Sequence, residues 1–129
     1  MATWMSDELA KIGKTEELQI AARRSDGTLR NPVTIWVVRL GNDIYVRSVN
    51  GRTSAWFKGV LVRHEGRIQA GGVEKDVAFV EEADSSINDK IDAAYSAKYH
   101  QYAASIISHI NSNGARLATI RLEPRDIKE

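Results

Sequence analysis

The arginines of "RRSDGTLR" are the first residues of this chain with chemistry to offer. Arg23, Arg24 and Arg30 surround Ser25, Asp26 and Gly27, and an apolar run follows directly. Guanidinium forks match phosphate geometry, and a glycine lets backbone approach an anion closely. A second basic turn, "VRSVNGRTSAW", sets Arg47, Ser48, Arg52, Thr53 and Ser54 just before a helical stretch that opens near Trp56. Helix starts expose free amide groups that attract anions. Each turn suits a phosphate or another small anion, and arginines beside hairpins also occur as plain solvated residues.

Other chemistries have less to stand on. There is no cysteine, which removes thiol nucleophiles, thiolate metal sites and disulfides. His64, His100 and His109 are scattered and form no i,i+4 pair of the kind a helical metal site needs. No serine sits in a recognisable nucleophile setting, so hydrolysis has little support. Trp36, Trp56 and Phe57 offer ring faces, but large aromatics mostly supply buried area. Glu81, Glu82 and Asp84 read as the acidic start of a helix.

The net charge of +1 over 129 residues provides no global field, so any attraction for anions is local. That balance, with few candidate exposed aromatics, counts against nucleic acid as a partner. The N-terminal "MATWMSDELAKIG" lacks the apolar run of a signal peptide or anchor, no window is long enough to span a bilayer, and the expected compartment is the cytoplasm.

The elements that must position these residues read as follows. Residues 6–13 predict a short helix with Ser6 as N-cap and Gly13 as its stop. "LQIAARR" is a strand running to the Asp26-Gly27 turn, and "VTIWVVRL", apolar on both faces, predicts a central strand covered on each side. Gly41-Asn42-Asp43 turns the chain into "IYVRSV". A helix over "AWFKGVLVR" is capped by Thr53 or Ser54 and weakened by Gly59. "GRIQAGGVEKDVAFVEE" is a hairpin turning at Gly71-Gly72. A long helix over 86–110, opened by a capping box of Ser86 and Asp89, carries Ile87, Ile91, Tyr95, Tyr99, Tyr102, Ile106 and Ile110 as one apolar stripe. "RLATIRLEP" is the last strand. Strands linked mainly by hairpins, without βαβ alternation, predict a mainly β, α+β domain over 1–129 built on a six-stranded antiparallel barrel.

The segments "DELAKIGKTEELQIAARRSDGTLRNPVTIWVV", "YVRSVNGRTSAWFKGVL", "GRIQAGGVEKDVAFVEE" and "IDAAYSAKYHQY" resemble, in joint order and spacing, a bacterial family of unknown function, the DUF2255 type. That family is in turn similar to the split β-barrel proteins that use flavin mononucleotide (FMN) or a deazaflavin, the deazaflavin-dependent nitroreductase type in particular. The resemblance implies an FMN-binding-like split barrel, a flavin or deazaflavin cofactor, oxidoreductase activity and a homodimer. It places cofactor contacts on Arg23, Arg24, Ser25, Gly27 and Arg30, and on Arg47, Ser48, Thr53, Ser54 and Trp56 of the second turn. The sequence departs from that pattern at Asp26, an added acid in the turn, and at Ala22, where the relatives carry glycine. A non-catalytic module that binds another anionic small molecule or a protein on the same barrel is the alternative.

Overall fold

The computed structural model describes residues 3–125. Its strands are β1 (Glu17–Ala22), β2 (Val33–Trp36), β3 (Val38–Leu40), β4 (Asp43–Arg47), β5 (Glu65–Ala70), β6 (Val73–Glu81) and β7 (Thr119–Pro124). They form one seven-stranded sheet in the order β2-β1-β5-β6-β7-β4-β3, with every pairing antiparallel. The two end strands, β2 and β3, are consecutive in the chain and separated only by Val37. The chain itself therefore joins the two ends of the sheet and rolls it into a barrel.

This corrects two expectations at once. The run "VTIWVVRL" is two strands rather than one, which makes seven in place of six, and it lies at the ends of the sheet rather than in its centre. Its two-sided apolar pattern has a different cause. Ile35 and Val37 pack into the barrel interior, whereas Trp36, Val38 and Leu40 pack against a second cluster outside it.

The interior is filled by alternate residues of the strands, including Leu18 and Ile20 of β1, Ile44 and Val46 of β4, and Ile120 and Leu122 of β7. Helix α1 (Ser6–Lys14) adds Leu9 and Ile12 to it, and α2 (Ala55–Arg63) adds Phe57 and Val60. On the outside, Ile91 and Tyr95 of α3 (Ser85–Lys98), with Tyr99, cover Val38 and Tyr45. Two predicted hairpins are present: Ala70 pairs with Val73 across Gly71-Gly72, whose φ values of +58° and +85° suit glycine, and Leu40 pairs with Asp43.

Helix ends differ in detail from the predicted caps. Helix α1 is capped at Met5, whose N–H donates to the Glu8 carboxylate at 2.9 Å, so Ser6 is the first helical residue. Asp84, not a Ser86–Asp89 box, opens α3 by accepting from the Ile87 N–H at 3.0 Å. The stretch expected to be helical over 86–110 breaks after Lys98 and resumes as α4 (Ala104–Ile110), with a short α5 (Asn113–Arg116) beyond. The break lets Tyr99 stack on Trp36 at 3.9 Å between centroids while Tyr102 leans on the same indole at 4.9 Å.

Candidate functional site

Strand alternation places Ile20, Ala22 and Arg24 on the face of the β1–β2 hairpin that meets α2. Between them lies a cavity of about 260 Å³, lined by Ile20, Ala22, Arg24, Arg30, Asn31, Val33, Ala55, Trp56 and Val60. Of the predicted cofactor contacts, Arg24, Arg30 and Trp56 meet here. The first basic turn supplies the two arginines, and the start of α2 supplies the indole.

The turn holds these arginines by its own bonds. Arg24 N–H donates to the Thr28 carbonyl at 2.7 Å, Gly27 N–H to the Arg24 carbonyl at 2.9 Å, and Arg30 N–H to the Ala22 carbonyl at 2.9 Å. Gly27, at φ +91°, provides the left-handed residue the turn requires. Asp26 is turned inward on the loop: its carboxylate accepts from the Thr28 N–H at 3.0 Å and hydroxyl at 2.7 Å. Those Thr28 bonds hold its carboxyl below the usual carboxylate range. Asp26 is thus spent on the turn and does not line the cavity.

Arg30 is the distinctive member. Its Nε is buried and has no hydrogen-bond partner. The side chain lies across α2 at Gly59, where a Cβ would stand 2.9 Å from Nε and 3.0 Å from Cδ. The glycine that weakens the helix therefore makes the groove in which this guanidinium rests. A buried donor without an acceptor costs about 1–3 kcal/mol.

The other predicted contacts lie elsewhere. Arg23 turns to the opposite face, donating to the Gly27 carbonyl at 2.8 Å and pairing with Asp76 at 3.4 Å. The Ser25 carbonyl accepts from Arg63 at 3.2 Å. Ser48 and Ser54 share a hydrogen bond at 2.7 Å, so Ser54 stands at the cap position of α2 without capping it, and Thr53 donates to the Asn50 carbonyl at 3.4 Å. Arg47 is buried within the fold. Its Nε donates to Thr119 at 2.9 Å, one terminal nitrogen to Asp92 at 2.6 Å and Asn111 at 3.1 Å, and the other to the Asn88 side chain at 2.9 Å and carbonyl at 3.1 Å. These bonds tie β4 to β7, α3 and the segment after α4, and they leave Arg47 no donor for a phosphate. Arg52 is likewise engaged, with Glu81 at 2.8 Å and the Leu117 carbonyl at 2.9 Å.

Residues missed at the sequence level are Asn31, Ala55 and Gly59. The glycine carried a signal, since a glycine inside an amphipathic helix often marks a close approach. The described residues contain no group of three or more His, Asp or Glu side chains placed to hold a metal ion, and no helix long and apolar enough to cross a membrane.

Comparison with solved structures gives the same architecture. The heme storage protein HutZ from Vibrio cholerae aligns with a TM-score of 0.69 at 14% identity, over 97% of this chain and 92% of that one. An F420 reductase aligns with a TM-score of 0.61 at 10% identity, over 91% and 92% of the two chains. An FAD-binding protein from Mesorhizobium loti aligns with a TM-score of 0.59 at 15% identity, over 97% and 93%. Identities this low show the fold alone: a split β-barrel of the FMN-binding type. Among curated proteins no sequence matches. The model of a family described as uncharacterised proteins conserved in bacteria, DUF2255, matches residues 8–122, and the chain belongs to that family.

Proposed function

We propose that this protein binds a flavin- or deazaflavin-type cofactor, with a phosphate or equivalent acid group of that cofactor in the cavity between the β1–β2 hairpin and α2. The observation that carries the reading is the Arg30 guanidinium, whose buried Nε lacks an acceptor beside a cavity that Arg24 also lines. Three neighbours on the same barrel are a heme storage protein, an F420 reductase and an FAD-binding protein, which supports a cofactor-binding role of this kind. The cavity, at about 260 Å³, is just below the roughly 300–1,000 Å³ of sites that enclose a whole drug-sized ligand. It therefore suits the acid-bearing end, with the ring outside it along Trp56.

When bound, such a cofactor supplies hydride transfer, which would make the protein an oxidoreductase. The chain's own part is to bind and orient: Arg24 and Arg30 fix the acid group, and Trp56 offers a wall to what extends beyond it. No carboxylate, histidine or tyrosine lines the cavity, so the residues around the acid group bind it and are not placed to move a proton there. The homodimer implied by the family resemblance belongs to the same reading. The cavity's size favours a second reading, a non-catalytic module holding a small anion.

A visible spectrum taken after incubation with FMN or the deazaflavin cofactor and desalting separates the two. A retained, near-stoichiometric chromophore supports the first reading; a colourless protein that still binds inorganic phosphate supports the second. Arg30→Ala is expected to weaken the retained ligand by roughly ten- to a hundredfold, the value of a hydrogen bond to a charged group, with the melting temperature nearly unchanged. Unaltered affinity would remove Arg30 from the site.

A further inference from the structure

On the other side of Trp56 lies a second cavity, of about 240 Å³, walled by Trp36, Trp56, Ile35 and Ile110. We infer that it is a separate small-molecule site for a planar, uncharged aromatic compound of one or two rings. Nothing in it depends on a cofactor in the first cavity.

Four observations point to that chemistry. The first is the pair of indoles, one of them held rigid: Trp36 is stacked on Tyr99 with planes 7° apart and is braced by Tyr102. A ring wall fixed in advance loses little freedom when a flat ligand lies on it. The second is the state of the polar groups. Arg47 and Thr34 line this cavity, yet Arg47 spends its donors on Thr119, Asp92, Asn111 and Asn88, and the Thr34 hydroxyl accepts from Gln19 at 2.6 Å. With its donors committed and its side chain buried against the Tyr95 ring, Arg47 has nothing left with which to hold a charged ligand. The one charged side chain that lines the cavity has no donor free for an anion, whereas a neutral ring finds surfaces suited to it, and a hydroxyl on that ring finds the Thr34 O–H, which the Gln19 bond leaves free.

The third observation is the rim. Val49 and Ile106 also line the cavity and are 39% and 46% exposed, which are large apolar side chains left in water where they converge on one hollow. The fourth is size: an apolar cavity of about 150 Å³ accommodates benzene, so 240 Å³ admits a fused two-ring molecule. Trp56 is common to both cavities, so a ring in the second would lie one indole away from an anion in the first.

The test uses 2-naphthol titrated into the full chain by calorimetry, with oligomeric state followed by light scattering. Saturable binding at one site per chain is expected, weakened at least about tenfold by Ile106→Arg, which sets a charge at the mouth, and unchanged by Val62→Arg, an exposed apolar position on α2 that does not line this cavity. Should Ile106→Arg lower the melting temperature, Val49→Arg in the preceding loop takes its place. Arg30→Ala is expected to leave naphthol affinity intact while weakening anion binding, so failure of the anion site and failure of this one are distinguishable. No saturable binding by the wild-type chain, equal binding by the arginine variants, or loss of binding in Arg30→Ala would each overturn the assignment. So would a wild-type dimer that takes no naphthol and is dissociated by Ile106→Arg, since that face would then lie between two copies of the chain.

Discussion

At the scale of single residues, the arginines divide by what surrounds them rather than by the turns that carry them. Arg30 has a buried nitrogen in want of an acceptor, while Arg47 has more acceptors than any other side chain described here. Arg47 shares Asp92 with Arg116, and Thr119 and the Asn88 carbonyl are buried with it. Arg47→Ala would leave Asp92 paired with Arg116 but would take the guanidinium donors from Asn88, Asn111 and Thr119 and open a gap in their place, at a cost of about 2–5 kcal/mol. Urea unfolding is expected to show that loss, a large part of the 5–15 kcal/mol that holds a typical domain together. A loss under about 1 kcal/mol would mean the network relaxes around the gap. Sequence made Arg47 and Arg30 equivalent because both flank a turn with small polar residues. What separates them is distant: Asp92 is 45 residues from Arg47, and Thr119 is 72.

At the scale of elements, periodicity located α2 and the stripe of α3, while the consequences of single residues within them needed the packed structure. Gly59 is such a residue. Alanine is worth about 1 kcal/mol more than glycine inside a helix, but its Cβ would collide with the Arg30 side chain. Gly59→Ala is therefore expected to keep or raise the melting temperature while weakening phosphate or cofactor binding, and an anion titration beside a thermal melt reads both. Affinity equal to wild type would show that Arg30 need not lie in that groove. The end of α3 gives a pH-dependent case. Burial pushes the Lys98 ammonium down from 10.5 to about 8, and its nitrogen donates to the Val37 carbonyl at 2.7 Å. The folded protein sheds this proton first, so between these two values the unfolded chain binds more protons and stability rises with pH. Below about pH 8 the full cost of burying the charge is present. Lys98→Met is expected to remove this rise, so the variant's stability relative to wild type falls as pH goes from about 7 to 9.5. That window stays below the range where tyrosines intervene, since burial pushes Tyr45 up to about 12 and raised tyrosines destabilise the fold at high pH. A constant difference across it would mean that Lys98 is solvated in the folded state.

At the scale of the whole molecule, the barrel depends on one residue. The predicted hairpins gave an antiparallel barrel because each is a local event, written in a glycine pair or an alternating run. Closure was not legible, because it requires Val37 to leave the ladder and find partners more than 60 residues away in the chain. The Tyr99 hydroxyl accepts the Val37 N–H at 3.0 Å and donates to the Glu16 carbonyl at 2.6 Å, so it seals the point where the sheet's two ends meet. Burial pushes that phenol above its ordinary value, which keeps it protonated and able to donate. Tyr99→Phe keeps the ring that stacks on Trp36 but leaves a buried N–H without its acceptor, at a cost of about 1–3 kcal/mol. If the seam is held as described, the variant's Val37 amide exchanges with solvent faster than amides in the middle of β5 and β6, which keep their ladder bonds on both sides. Retained protection at Val37 together with wild-type stability would mean that packing of Ile35, Val37 and Val38 closes the barrel alone. Both candidate cavities draw wall residues from β2, which this seam anchors, so opening it should loosen 2-naphthol and anion binding together.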